Sequence, residues 1–128
     1  MHWADYTAQR LMERGGKQVS ASGITPSGEF HIGHLREILS AEMIHRACLD
    51  AGMSSKYIFI VDSMDPLRRV YDFLSPEYEE FIGCPLAYIP APEEDGSPGD
   101  GSVTYANHFL SPFLEALEQI GVRPEVVM

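Results

Sequence analysis

Two histidines three residues apart, His31 and His34, follow a run of turn-forming and hydroxyl residues, Gly23-Ile24-Thr25-Pro26-Ser27-Gly28. The spacing puts both imidazoles on one face of a helical turn, so both can donate to one bound oxyanion. Upstream, Gln18 to Ser22 reads as a buried strand. Downstream, Ile32, Leu35, Ile38 and Leu39 recur at helical spacing. The segment is therefore strand, loop, helix start. A helix N-terminus offers unpaired N–H groups and the positive end of the dipole. Gly23, Pro26, Ser27 and Gly28 are turn formers that keep the backbone close to whatever lies over the loop. That chemistry is anion binding, most often of phosphate. Gly33, between the histidines, leaves room for a flat ligand against the helix backbone. G-x-G-x-x-G and a terminal Gly-Lys-Ser/Thr are both absent, so histidine donors stand where a phosphate loop has its lysine.

A second chemical pair, Asp62 and Asp65, follows the apolar run Lys56 to Val61. Two readings of it stand open. The carboxylates are an electrostatic partner for a cationic substrate group or for magnesium, or Asp65 caps a helix opened by Pro66.

The elements that must position these groups read in chain order. Residues 3–14 form an amphipathic helix (Trp3, Tyr6, Ala8, Leu11, Met12) stopped by Gly15-Gly16, and a strand begins near Lys17. A helix runs from about Ile32 to Ala51, its stripe extended by Met43, Ile44, Ala47 and Cys48. The run 56–61 is a strand buried on both faces. Strand, helix, strand in this order is a parallel βαβ unit, which places the loop and Asp62/Asp65 at the carboxyl ends of the strands, where ligands bind in open parallel sheets. Short helices are expected at Pro66–Tyr71 and Pro76–Ile82. An acidic Gly/Pro loop at about 90–102 reads as a mobile surface loop. Tyr105, Phe109, Phe113, Leu117 and Ile120 mark a last amphipathic helix ending at Gly121, before a strand at 122–127. His45 and His108 read as surface or core-edge residues.

The 128 residues read as one domain, 45% hydrophobic, with no apolar run of membrane-spanning length and no signal peptide, so a soluble, cytoplasmic protein is expected. Cys48 and Cys84 lack C-x-x-C spacing and read as unrelated reduced thiols, with no metal held by cysteines. Nine Lys and Arg against nineteen Asp and Glu give a formal charge of −10, which opposes a nucleic-acid backbone. No aromatic and basic alternation for stacking single-stranded bases is apparent.

His31-Ile32-Gly33-His34 matches the HIGH signature of class I aminoacyl-tRNA synthetases. Its flanks, Ser22 to Gly28 and Leu35-Arg36-Glu37, resemble the class I lysyl-tRNA synthetases in particular. Similarity continues through Asp62 to Val70, Glu77 to Pro85 and Ala106 to Pro124. Many members carry Asn where this chain has His34, and both side chains can donate one hydrogen bond.

The resemblance implies a Rossmann-like α/β fold with a parallel sheet of about three strands flanked by helices. It also implies an ATP- and lysine-binding domain for lysine adenylation and transfer to tRNA(Lys). On it, His31 and His34 are the catalytic stabilisers; Thr25, Ser27, Gly28, His31, Gly33 and His34 contact ATP with Mg2+ on its phosphates; and Gly23 and Thr25, with Asp62 and Asp65, contact lysine. The family's second signature, Lys-Met-Ser-Lys-Ser, has no counterpart between Ile82 and Met128, so residues 1–128 read as the first half of the catalytic domain, with tRNA bound through other regions. The alternatives are a nucleotide- or protein-binding module without turnover and a fragment that dimerises through an exposed sheet edge.

Overall fold

A computed structural model describes residues 1–128, which pack as two compact units. The first comprises residues 1–24, 31–61 and 118–128, and the second residues 25–30 and 62–117.

The first unit is a three-stranded parallel sheet, β1 (Gln18–Ile24), β2 (Ser55–Val61) and β3 (Glu125–Val127), with helices α1 (Trp3–Arg14) and α2 (Ile32–Asp50). The strands lie in the order β1-β2-β3, with Gly23 opposite Ile60 and Ile24 opposite Val61. The expected βαβ unit is present. Two boundaries differ from the sequence reading. Gly23 and Ile24 belong to β1, not to the loop, and the third strand is only Glu125–Val127. The small residues of β1 do not break it, because β2 pairs along its whole length.

Helix α1 starts where the His2 ring accepts the Ala4 N–H at 3.2 Å, and it stops at Gly15, whose φ of 74° a side-chain-bearing residue rarely adopts. Ala4 and Ala8 of α1 pack on Ala47 and Cys48 of α2. Trp3, Tyr6 and Met12 are largely exposed, so the buried stripe is the alanine one. Ile32 is exposed too, because it opens the first turn of α2. In β2, Tyr57, Phe59 and Val61 are buried while Ile60 is 47% exposed, so only one face is closed, against the expectation of two. Below it, the Tyr57 hydroxyl meets Ser22 Oγ at 2.6 Å and donates to the Ile38 carbonyl at 3.3 Å, tying β2 to β1 and α2. Burial pushes the Tyr57 phenol above its ordinary range.

The second unit has little regular structure: a 3-10 helix (Pro76–Phe81) and the larger part of α3 (Tyr105–Gln119). Its core is Leu67, Leu74, Tyr78, Leu86, Ile89, Tyr105, Ala106 and Phe109. No helix forms at 66–71; Pro66 instead bridges Pro85, and the Leu67 N–H donates to the Cys84 carbonyl. Proline there serves an extended pairing, which its missing N–H permits on the outer side.

The acidic segment is held internally. Pro90 pairs with Thr104 and Pro92 with Pro98, while Asp95 and Asp100 accept the N–H groups of Ser97 and Ser102. The Ser97 and Ser102 hydroxyls, followed by these N–H groups, hold both carboxyls below their ordinary range. The buried Tyr78 donates to the Pro90 carbonyl, and desolvation pushes its phenol up to about 12.

The loop 25–30 is anchored on this core. Phe30 stacks on Phe113 with ring centroids 4.2 Å apart, and the fully buried Tyr105 donates to the Ser27 carbonyl at 2.6 Å. Tyr105→Phe leaves that carbonyl without its donor, so we expect a loss of about 1 to 3 kcal/mol. Urea denaturation would show it as a lower midpoint at unchanged slope; an unchanged midpoint would mean the loop does not depend on this bond.

Candidate functional site

On the first unit, the end of β1 and the start of α2 bring four sequence-selected or neighbouring residues together: Gly23, His31, Gly33 and His34. The first N–H groups of a helix have no partner within it. Here the two histidines supply partners for each other's surroundings. His31, the N-cap residue in extended conformation, accepts the Gly33 N–H on Nδ1 at 3.0 Å, and His34 Nδ1 accepts the His31 N–H at 3.0 Å. This is a reciprocal capping box built from imidazoles.

The arrangement fixes the chemistry of both rings. A nitrogen that accepts an N–H carries no proton, so each neutral ring holds its proton on Nε2. The ring centroids are 3.9 Å apart. Charging either ring would place a cation beside its neighbour and at the positive end of the α2 dipole. Burial, followed by the nearby His31, holds His34 below its ordinary value of 6.5, against a smaller opposing pull from Glu37. The pair is therefore a set of neutral N–H donors at a helix N-terminus, suited to an anion that must be bound without a proton being given away.

Gly33 has a different immediate role from the one its sequence position suggests. A Cβ there would lie 2.8 Å from His31 Cε1 and 2.9 Å from His31 Nδ1, so the space that glycine leaves is taken by the His31 ring. The residue that sequence reasoning missed is Glu37. One turn beyond His34, it accepts the Gly23 N–H on Oε1 at 3.2 Å and so ties the end of β1 to α2. Its position three residues after His34 was the available signal.

On the second unit, Thr25 donates to Asp65 Oδ2 at 2.6 Å, and Arg68 approaches the same oxygen at 3.9 Å. Asp65 is thus the partner of Thr25 and not a helix cap, since no helix follows it. Thr25 and Asp65 form a half-buried set of oxygens able to receive an ammonium group. Ser27 contributes its backbone: its N–H donates to the Thr25 carbonyl and its own carbonyl accepts from Tyr105. Gly28 is backed by the Phe73 ring, 3.3 Å from where its Cβ would be. Asp62 is exposed at the end of β2. Cys48 is buried, with its thiol pushed up by desolvation, and both cysteines are free. No three His, Cys, Asp or Glu side chains converge as a metal cage.

All 128 residues match the family described as tRNA synthetases class I (K). Among curated proteins, the chain is 46% identical over 127 residues to lysine–tRNA ligase 1 of Methanosarcina acetivorans, covering 99% of this chain and 23% of that one. It is 48% identical over 126 residues to the lysine–tRNA ligase of Archaeoglobus fulgidus, covering 98% and 24%. With the lysine–tRNA ligase of Methanocaldococcus jannaschii the identity is 46% over 124 residues, covering 95% and 22%. The chain thus spans less than a quarter of the length of these relatives.

The cap has a pH signature. The folded value of His34 lies below the unfolded 6.5, so the stability that the neutral ring contributes is complete above 6.5 and is lost as pH falls through the lowered value. Proton NMR titration should give His34 a pKa below 6.5, and His31→Ala should move it upward. A His34 pKa at or above 6.5 in the parent would contradict the cap.

Proposed function

The chain belongs to the class I (K) tRNA synthetases, and from that premise we propose that it supplies the nucleotide-handling first part of the catalytic domain of a lysine–tRNA ligase. The reaction is lysine adenylation, with transfer to tRNA(Lys) in the complete, cytoplasmic enzyme. The observation that carries this reading is the reciprocal histidine cap, with two neutral N–H donors at the head of α2.

In adenylation the lysine carboxylate forms a bond to the α-phosphorus of ATP while the bond to the pyrophosphate oxygen breaks. Little covalent help is needed. The barrier falls when two anions are held in line and the charge developing on phosphorus and on the leaving group is stabilised. His31 and His34 do this as hydrogen-bond donors and not as bases, because their Nδ1 atoms are already engaged by backbone. Gly33 lets the His31 ring reach its position. Gly23 presents backbone to the amino acid, and Thr25 with Asp65 is the oxygen set that an ammonium group requires. Ser27 and Gly28 shape the loop through their backbone. Magnesium accompanying ATP would supply further charge neutralisation, with His31 and His34 as the protein's own donors.

A second reading, a nucleotide-binding module without turnover, is supported by the same histidine cap, which can hold an anion without any chemical step. In a third reading, a structural fragment that dimerises, the unpaired edge of β1 is the edge through which copies pair. Light scattering reads that pairing. Lysine-dependent ATP–pyrophosphate exchange separates turnover from binding.

The first two readings share one expectation. His31→Ala and His34→Ala should each weaken ATP binding by about 1 to 3 kcal/mol in calorimetry, without loss of fold by circular dichroism. ATP binding equal to the parent's in both variants would place the anion site elsewhere.

A further inference from the structure

Strand β1 is the edge of the sheet, so on one side its backbone groups have no neighbouring strand to pair with. At Gly23 the outward N–H is taken by a side chain, the Glu37 carboxylate, whose Oε1 accepts it at 3.2 Å. Both residues are exposed. One residue earlier the same strand is tied down in another way, through Ser22 Oγ and the Tyr57 hydroxyl at 2.6 Å in a buried setting. The Glu37 contact is longer, faces water and runs through a flexible side chain, so it adds little to stability and opens easily.

A negative charge is more than this contact needs, because a neutral amide oxygen would serve a backbone N–H as well. Glu37 enters none of the chain's ion pairs. Its charge acts on His34, which it pulls upward against burial and the nearby His31, so the carboxylate lies beside the histidine cap. Gly23 is open as well. Its backbone does not take the positive φ that calls for glycine, and a Cβ there would meet nothing closer than the Ile60 carbonyl oxygen, at an ordinary 3.6 Å. Neither conformation nor packing within the chain requires glycine at this position, which leaves the approach of a ligand to the backbone as its use.

We propose that the Gly23 N–H is a seat for the carboxylate of the amino-acid substrate and that Glu37 is its stand-in, holding the N–H until that carboxylate displaces it. The occupant follows from the group already there. A carboxylate accepts the N–H on one oxygen and keeps the second free; in an amino acid seated in this way, the second oxygen is the one left to attack phosphorus. Glu37 reaches the seat from one turn beyond His34, and as it leaves it carries its charge away, so that two carboxylates do not crowd one donor. The flexible arm thus makes Glu37 a competitor of modest strength, which lowers the fraction of the chain ready to bind. This inference rests on the lysine-activation reading for the identity of the ligand, whereas the seat itself is independent of ATP.

The test is a proton–nitrogen NMR titration of the 15N-labelled chain with L-lysine and with cadaverine, which is lysine without its carboxylate, at matched ionic strength and without ATP. L-Lysine should shift the Gly23 amide signal, and cadaverine should leave it in place. Glu37→Ala should bind L-lysine about fivefold more tightly than the parent, because the competing carboxylate is gone, and cadaverine no more tightly. A Gly23 signal unmoved by lysine, an equal shift with cadaverine, or lysine binding by Glu37→Ala no tighter than the parent's would each overturn the proposal. Weaker binding by that variant would make Glu37 a receptor for an ammonium group instead. Should Glu37→Ala not fold, the two titrations of the parent decide. Calorimetry of ATP with the parent separates the readings: if ATP binds and lysine does not reach Gly23, this inference falls alone, and if lysine responds as expected and ATP does not bind, it is the nucleotide reading that falls.

Discussion

A helix leaves its first N–H groups without partners inside it, and at α2 two imidazoles answer that need. His31 takes the Gly33 N–H and His34 takes the His31 N–H, each through Nδ1. Much of the site follows from this. The proton of each ring is confined to Nε2, the rings sit 3.9 Å apart, and Gly33 has no side chain because the His31 ring fills that space. Asparagine would offer an acceptor and a donor on one side chain as well. What the position requires is an atom that accepts the N-cap N–H while a second atom donates outward. Histidine performs the first half of this duty at α1 too, where His2 receives the Ala4 N–H.

The second unit solves a different problem. With little regular structure, it must fix a Gly/Pro loop whose backbone would otherwise be disordered by its own composition. It does so with single, well-made bonds: Thr25 to Asp65, Tyr105 to the Ser27 carbonyl, and Phe30 against Phe113. Of these, the Tyr105 bond ends on a fully buried residue, and removing its hydroxyl leaves the partly buried Ser27 carbonyl without its donor.

The regular elements were legible because their signals are local and redundant. Helix α1 has a glycine stop, β2 a continuous β-branched and aromatic run, and α3 a clear apolar stripe, and each was placed within a residue or two. Failures came where tertiary pairing overrides local preference. Pro66 looked like a helix opener but is used in a bridge to Pro85, and Gly23 looked like a turn former but is paired in β1. The acidic segment reads as a mobile surface loop; in the structure its exposed Asp95 and Asp100 are bonded to the N–H groups of their own turns. In the candidate site the histidines were legible from type and spacing. Their use of Nδ1 toward backbone was not, because a three-residue spacing fixes a common face but not ring orientation. Glu37 was missed because its partner, the outward N–H of Gly23, is defined only once β1 is known to be an edge strand.

The central claim is that His31 and His34 are neutral rings protonated on Nε2, and long-range proton–nitrogen correlation NMR on the 15N-histidine-labelled chain tests it directly. At a pH well above 6.5, the account predicts for both residues a pyridine-like, unprotonated Nδ1 and a pyrrole-like Nε2 carrying the proton, with the pattern for His31 retained in His34→Ala because its Nδ1 accepts from the Gly33 N–H. Nδ1-protonated rings, or signals averaged between tautomers as in free histidine, would contradict it.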